Sequence, residues 1–338
     1  MFSTLLGPLS PDPDDPAPSD AAASGGDVAA TDAAVDRARL ESVAALEAIG
    51  LELVTDGSAA RPDEPAAGVV ARWQSAAAAS GASVKQVLVG PWSSATRTGG
   101  DPSAVAEALR PTILALAEAG CPLVEIAEAD AAVIAADPAA AGRFGEAHRR
   151  LVDGSEGVHC SLALTGASFD GAGPATFFDL SYASYAFDLI AGPDNWRLIV
   201  EAPADRGVIC GAIGLAPGAD TTRELLVWAA HYAASTRNRG LARVGLANAP
   251  SPAGAASPSR GEVLRRLAIV AEASRIASVE SAEEMAGLLD PRASDPRSAT
   301  GARFAPDRRR AGPGPGRPGD PGPGHPGDPG RGRPGPGR

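Results

Sequence analysis

The sequence has little aromatic content, few cysteines and no long apolar run, and each shortage excludes something. Aromatic residues make up 4% of the 338 residues, so a core must rely on small aliphatic side chains. The 3 cysteines lie far apart, give no disulfide framework and suit a reducing cytoplasm. Without a run of about 18 apolar residues we expect no membrane span. The N-terminus has no basic segment of the kind that begins a secretory signal.

The net charge is −11, which argues against nucleic acid or an anionic membrane as the main partner. The charge is uneven, because residues 301–338 carry 8 Arg and 3 Asp while the first 300 residues carry about −16. This tail is rich in Gly and Pro. Glycine recurs at every third residue, but the repeat changes phase within the tail, which excludes a collagen triple helix. We predict one domain over residues 1–300, with a mobile loop at 8–27, and a disordered tail at 301–338.

Eight short apolar runs alternate with helical segments along the chain. Most runs are continuously apolar, as is typical of strands buried on both faces of a parallel sheet. Eight strand–helix units predict an α/β fold of the (β/α)8 TIM barrel type. An open doubly wound sheet is the alternative, but no glycine-rich dinucleotide loop follows the first strand. The predicted strands are Ser3–Gly7, Leu51–Asp56, Val84–Gly90, Leu123–Glu128, Val158–Leu164, Ala186–Ala191, Val208–Gly214 and Arg243–Asn248.

Capping patterns place several of the helices. Asp-Pro pairs begin helices at Asp101 and Asp137, and Pro111 predicts a break inside the first of these. Capping-box spacing starts two later helices, at Thr221 and Ser259. The remaining predicted helices are Thr31–Ile49, Glu64–Ser80, Thr176–Tyr185 and Asp194–Ala202.

Functional groups of a barrel gather where its strands end at their carboxyl side. This rule selects five substrate-binding candidates, which are Asp56, Trp92, Ser93, Glu128 and His159. Three of them also have a structural interpretation. Asp56 precedes a glycine and could cap a turn, Trp92 could pack at the barrel mouth, and Glu128 ends a buried strand, where a carboxylate needs a partner or water. The same rule selects Thr55, Pro91, Glu125, Asp188 and Asn248.

His159 and Cys160 form an adjacent pair that suggests a metal site. Neighbouring strand residues point to opposite faces of a sheet, however, so the two side chains do not share one ion. His148 and His231 fall within predicted helices, where structural or surface positions are expected, and Cys210 falls mid-strand as a small core residue.

Four segments, in their order and spacing, resemble the C-terminal catalytic barrel of cobalamin-independent methionine synthase, in the wider group that includes uroporphyrinogen decarboxylase. The resemblance spans about residues 2–290 and implies methyl transfer from a folate to a thiol. It also implies a zinc ion held by His, Cys, Glu and Cys, which would bind the thiol as a thiolate. The segments are Ser3–Gly7, Gly50–Gly57, Val84–Trp92 and Ala119–Glu128.

Carried over position by position, the resemblance retains one zinc ligand. His159 matches the histidine, whereas the other ligand positions fall on Ser161, on Ala191 or Gly192, and near Asn248. Two acids that would bind the substrate are replaced by Ser58 and Ala127, although Glu128 persists, and Arg61 and Asp63 match polar positions. One ligand does not make a zinc site, so we expect no metal.

Two functional hypotheses follow, and neither assigns a catalytic residue. In the first, the chain is a divergent methyltransferase-like enzyme in which Glu128 and His159 orient a thiol substrate and Trp92 stacks on a flat cofactor. In the second, it is a catalytically inactive barrel that binds or regulates through a small molecule at its mouth. Zinc and a methyl-folate are expected only if the family reaction is retained. The missing ligands favour the second hypothesis.

Overall fold

The computed structural model describes residues 1–7, 9, 28–215, 222–250 and 258–289. The predicted tail at 301–338 and all but Leu9 of the predicted loop at 8–27 lie outside these residues. Both therefore stay predictions, as does the domain boundary at residue 300. Among the described helices, none is long and apolar enough to cross a membrane.

Eight parallel strands form one sheet, in which the second to the eighth strand pair in sequence order. The first and last strands of the chain also pair, and a bridge between Thr4 and Leu53 joins the first strand to the second. The sheet therefore closes on itself, which confirms the (β/α)8 barrel and excludes the open sheet. The strands are β1 Phe2–Ser3, β2 Leu53–Ala60, β3 Ser83–Val89, β4 Leu123–Glu128, β5 His159–Leu164, β6 Ser184–Asp188, β7 Gly207–Gly214 and β8 Val244–Ala249.

Helices cover the outside of this barrel. The described α-helices are α1 Val28–Ala48, α2 Ala66–Ala79, α3 Pro91–Thr98, α4 Pro102–Glu118, α5 Pro138–Val152, α6 Ala175–Phe178, α7 Trp196–Glu201, α8 Arg223–Ser235, α9 Arg260–Ala277 and α10 Ala282–Leu289. The predicted caps at Asp101, Asp137 and Ser259 are confirmed, because each side chain accepts a backbone N–H of the first turn.

The helix predictions differ from the structure at several points. Helix α4 continues through Pro111 without the predicted break. Thr222 caps α8 by accepting the N–H of Leu225, and the predicted cap Thr221 lies outside the described residues. The helix predicted at Thr176–Tyr185 is only the single turn α6, and its last two predicted residues belong to β6. Helix α3, directly after β3, was not predicted.

The barrel interior is packed by a small set of aliphatic side chains. Leu6 lies there against Ala163, Ala186, Ile209 and Ala247, and Phe2 packs on the same cluster. Two strand glycines make room for these groups. A Cβ on Gly245 would lie 2.7 Å from the Phe2 ring, and one on Gly211 would lie 3.1 Å from Leu6 Cδ1. Most of the core lies between the sheet and the helices.

All three cysteines are buried in this outer core, away from the barrel interior. Burial raises the pKa of the Cys121 thiol to about 11 and that of Cys210 to about 12. Burial also raises the pKa of Cys160, whose Sγ lies 3.6 Å from Ser155 Oγ. Because the thiolate is the reactive form, these are inert structural thiols at neutral pH.

We expect a thiol reagent such as DTNB to modify far less than one cysteine per native chain at neutral pH, and all three after denaturation. The folded chain keeps protons that the unfolded thiols lose above about pH 8.5, so the free energy of unfolding should fall as pH rises beyond that value. Rapid modification of the native chain would contradict this assignment.

Candidate functional site

Glu128, the strongest candidate in the sequence, faces the helices rather than the barrel interior. It follows Val124 and Ile126 on the outward face of β4 and is fully buried. Its carboxylate accepts the backbone N–H groups of Trp92 at 2.9 Å and Ser93 at 2.7 Å. These are orphan donors of the first turn of α3, so Glu128 caps that helix from another strand.

His148 joins Glu128 to a second buried partner. Its Nε2 lies 3.0 Å from Glu128 Oε1, and its Nδ1 lies 2.6 Å from the Tyr182 hydroxyl. Burial holds the pKa of Tyr182 well above its usual value, so the phenol stays protonated. The result is a buried hydrogen-bonded chain linking β4, α5 and the residues before β6.

Trp92 and Ser93 complete the junction between α3 and β4. The Trp92 ring is 6% exposed and packs against Phe144 at 6.1 Å, with the Arg143 guanidinium 5.8 Å from its centroid. Ser93 Oγ accepts the backbone N–H groups of Ala129 and Asp130 at 2.9 and 3.0 Å. These contacts support the packing interpretation of Trp92, and they give Ser93 a structural partner rather than a free hydroxyl.

His159 does not lie at the barrel mouth. It is the first residue of β5, at the amino end of the barrel, where its Nε2 lies 2.8 Å from Ser184 Oγ. Burial lowers its pKa, so the imidazole stays neutral at physiological pH. Cys160 packs on the helix side, as the alternation of strand residues predicts. Within the described part of the chain, no group of three His, Cys, Asp or Glu could hold a metal ion.

These positions do not fit the zinc site that the resemblance implies. The one matching ligand points into the barrel at the end opposite the mouth, and its nitrogen is engaged by a serine.

Two further carboxylates, Asp56 and Asp188, are satisfied by nearby backbone. Asp56 lies within β2, where the register with β3 shifts between Thr55 and Ala59, and not in a separate turn after the strand. It accepts both the N–H and the hydroxyl of Ser58, across Gly57 with its φ of +83°. Asp188 accepts three backbone N–H groups, from Gly166 at 3.0 Å, Ile190 at 2.9 Å and Ala191 at 2.8 Å.

The most unusual polar group of the interior was missed by the sequence reasoning. Lys85 is the only lysine in the chain, and its ammonium pairs with Glu125 inside the barrel, both side chains being 1% exposed. The ammonium also donates to the Leu5 carbonyl, and Glu125 accepts the N–H of Gly7 at 2.7 Å. The signal was present, since a lysine and a glutamate interrupt two adjacent apolar strands.

Six buried side-chain polar atoms lack a hydrogen-bond partner among the described residues, and Trp92 Nε1 is one of them. Two others lie on strands of the barrel: Ser161 Oγ, whose residue pairs in register with Glu125, and Asn248 Nδ2. The other amide atom of Asn248, Oδ1, accepts the N–H of Leu6 at 2.9 Å. An orphaned buried polar atom is costly, so a water or a ligand atom is expected at each.

A cavity of about 420 Å³ opens elsewhere, on the outside of the barrel between α5 and α6. Small side chains line most of it, with Arg149 and Asp179 as its charged residues. None of the five candidates from the sequence contributes to it.

Comparison with known proteins agrees with the barrel. No protein-family model matches the sequence, and no curated protein matches it. Among solved structures, a candidate vitamin-B12-independent methionine synthase from Listeria monocytogenes is similar with a TM-score of 0.61 at 13% identity, over 82% of this chain and 97% of that one. A B12-independent methionine synthase from Shewanella sp. W3-18-1, solved with selenomethionine, is similar with a TM-score of 0.55 at 11% identity, over 73% and 88%. At these identities the shared property is the fold.

The buried ion pair gives a first test. Removing one partner strands the other charge, so Lys85→Met and Glu125→Gln should each lower the free energy of unfolding by about 3–5 kcal/mol in urea titrations. The double variant should lose clearly less free energy of unfolding than the sum of the losses in the two single variants. Lys85→Arg should also destabilise, since the larger fork does not fit the same space. Additive costs would show that the two groups act independently.

A second test separates a structural Glu128 from a substrate-binding one. Glu128→Ala should lower the free energy of unfolding by about 3 kcal/mol, because two N–H donors and His148 lose their acceptor. Gly90→Ala should destabilise too, since its Cβ would lie 2.3 Å from the Glu128 carboxyl carbon. The exposed control Glu118→Ala should change stability by no more than about 0.5 kcal/mol. If Glu128→Ala left the free energy of unfolding unchanged, the structural assignment would be wrong and Glu128 would again be a substrate-binding candidate.

Proposed function

We propose that this chain is a methionine synthase-type barrel that binds a small polar molecule within its strands and does not carry out zinc-dependent methyl transfer. The observation that carries the proposal is the pair of buried, unpartnered atoms, Ser161 Oγ and Asn248 Nδ2. They offer a hydroxyl and an amide donor, which suit a ligand with hydrogen-bonding oxygens. Ser161 stands at a position where the resemblance implies a zinc ligand, and Asn248 stands near another.

Among the described residues no set of zinc ligands converges, and this supports the proposed loss of the family reaction. A catalytic zinc site needs three protein ligands and an open position. Here the serine and asparagine are too weak as ligands to replace the thiolates, and His159 bonds to Ser184. The retained fold supports the other hypothesis, a divergent methyltransferase acting on a thiol. A cytoplasmic location and the absence of a nucleic-acid partner remain parts of the proposal, resting on the sparse cysteines and the acidic charge.

Metal content separates the two hypotheses. The full chain is purified with zinc supplied, and zinc per chain is measured by mass spectrometry. We expect well under one zinc per chain, unchanged in His159→Ala and in the control His231→Ala. Stoichiometric zinc that His159→Ala alone removes would overturn the proposal and restore the enzyme hypothesis.

Ligand binding is then tested by thermal shift with folic acid, homocysteine and a tetrapyrrole as probes. Ser161→Ala should leave the free protein at least as stable, because it removes an unpartnered buried hydroxyl. The same variant should shrink the ligand-induced rise in Tm, whereas Ser155→Ala, outside the barrel, should keep that rise. A rise that Ser161→Ala leaves unchanged would place binding elsewhere, for example in the cavity between α5 and α6. No rise with any probe would count against a retained pocket for these ligand classes.

A further inference from the structure

The cavity between α5 and α6 is separate from the barrel interior and has the size of a ligand-binding site. Its volume is about 420 Å³, and pockets that hold small ligands usually measure about 300–1,000 Å³. Among the described residues that line it, none belongs to a strand of the barrel. A molecule bound there would touch only helices and turns on the outside of the barrel. The inference drawn from this cavity therefore does not depend on the ligand proposed for the interior.

Helix α5 presents small residues to the cavity. Gly142 and Gly145 both line it, and their spacing of three places them on one side of the helix. A glycine inside a helix is less stable than an alanine at the same position. Packing does not require this cost at Gly142, because a Cβ there would meet no atom within 4 Å. The glycine leaves this side of the cavity open, so that a bound molecule can approach the helix backbone closely.

A positive charge lies at the cavity, one turn beyond Gly145 on the same helix. Arg149 lines the cavity, and its Nη1 donates to Glu146 at 2.7 Å. Its Nη2 has no acceptor among the described residues. Gly145 gives this guanidinium its place, since a Cβ on Gly145 would lie 3.4 Å from Arg149 Nη2. The N–H groups of Nη2 are therefore available to a carboxylate.

A negative charge lies at the same cavity, directly after α6. The carboxylate of Asp179 accepts no hydrogen bond and pairs with no cation among the described residues. Asp179 and Arg149 also form no ion pair with each other, although both line the cavity. Much of the remaining lining is aliphatic, as at Ile134, Ala141 and Leu180. The cavity thus offers two separate, opposite charges on a largely apolar surface.

We propose that this cavity binds a small zwitterion with an aliphatic body, an amino acid in chemical class. Its carboxylate accepts the N–H groups of Arg149 Nη2, and its ammonium donates to the carboxylate of Asp179. Hydrogen bonds between ionised groups are the strong ones, and here both ends of the ligand make them. A simple anion or a simple cation uses one of the two protein groups and leaves the other unpaired, so the site favours a molecule that carries both charges.

Binding is tested with the full chain by thermal shift and by isothermal titration calorimetry. The probes are glycine, leucine, γ-aminobutyrate and ε-aminocaproate, which differ in the separation of their charges and in the size of their aliphatic part. We expect at least one of them to raise the Tm with increasing concentration. Hexanoate and hexylamine carry one charge each and should not reproduce that rise. No binding of any probe at millimolar concentrations, or equal binding of hexanoate or hexylamine, would overturn the proposal.

Three variants locate the site. Arg149→Gln and Asp179→Asn should each raise the Kd about 10-fold or more, because each removes a hydrogen bond between ionised groups. Gly142→Leu should abolish binding by filling the open space, and it should leave the free protein at least as stable, because leucine is the better helix former. Two matched controls should keep binding, since neither residue lines the cavity: Arg150→Gln on α5 and Gly68→Leu on α2.

The Tm of each variant without ligand verifies that it remains folded. Binding that persists in Gly142→Leu, or that neither Arg149→Gln nor Asp179→Asn weakens, would overturn the proposal. Ser161→Ala separates this site from the barrel interior and should leave the Kd of the amino acid unchanged. If Ser161→Ala abolishes the response, the amino acid binds inside the barrel and the assignment to the outer cavity is wrong.

Discussion

The buried pair of Lys85 and Glu125 is the interaction on which the inside of this barrel depends. The pair anchors the segment that follows β1. Lys85 donates a hydrogen bond to the carbonyl of Leu5, and Glu125 accepts one from the backbone N–H of Gly7. Asn248 also anchors this segment, because its Oδ1 accepts the backbone N–H of Leu6. A two-residue strand has few ladder bonds of its own, so side chains from β3, β4 and β8 replace the missing ones. Leu6 is thereby held in the interior, where it fills the space between the last strands.

A single strand connects this interior pair to the helix layer. Glu125 points into the barrel from β4, and Glu128, three residues later, points out toward α3 and α5, as the alternation of a strand requires. Both carboxylates accept backbone amides from other elements, so both serve as tertiary caps for chain segments that lack local ones. Their burial is compatible with charge only because each has several donors. This explains why both acidic residues of β4 are structural, although Glu128 is the last residue of its strand, at the end of the barrel where active sites usually lie.

The sequence predicted the strands well because continuous apolar runs are a strong signal, and the bounds of β4 were predicted without error. The continuous apolar character of the strands also made it difficult to predict which side of the sheet each acidic residue faces. A strand buried on both faces has no polar face, so nothing local distinguishes inward Glu125 from outward Glu128. Helix α3 was missed for a related reason, since its capping carboxylate comes from Glu128, which lies 36 residues beyond Trp92. His159 is the second residue of the predicted strand Val158–Leu164 and the first of β5, so the predicted bounds already placed it at the amino end, where the carboxyl-end rule does not apply.

The small side chains of β5 to β8 leave space at the centre of the barrel, and residues of the first segment fill it. Where other barrels fill the centre with large residues from the strands themselves, this one uses alanine and glycine there and brings in Phe2 and Leu6 from the first segment. Lys85, Glu125 and Asn248 hold the segment from Leu5 to Gly7 and so keep Leu6 in this space. Ser161 and Asn248 each keep one buried polar atom without a partner among the described residues.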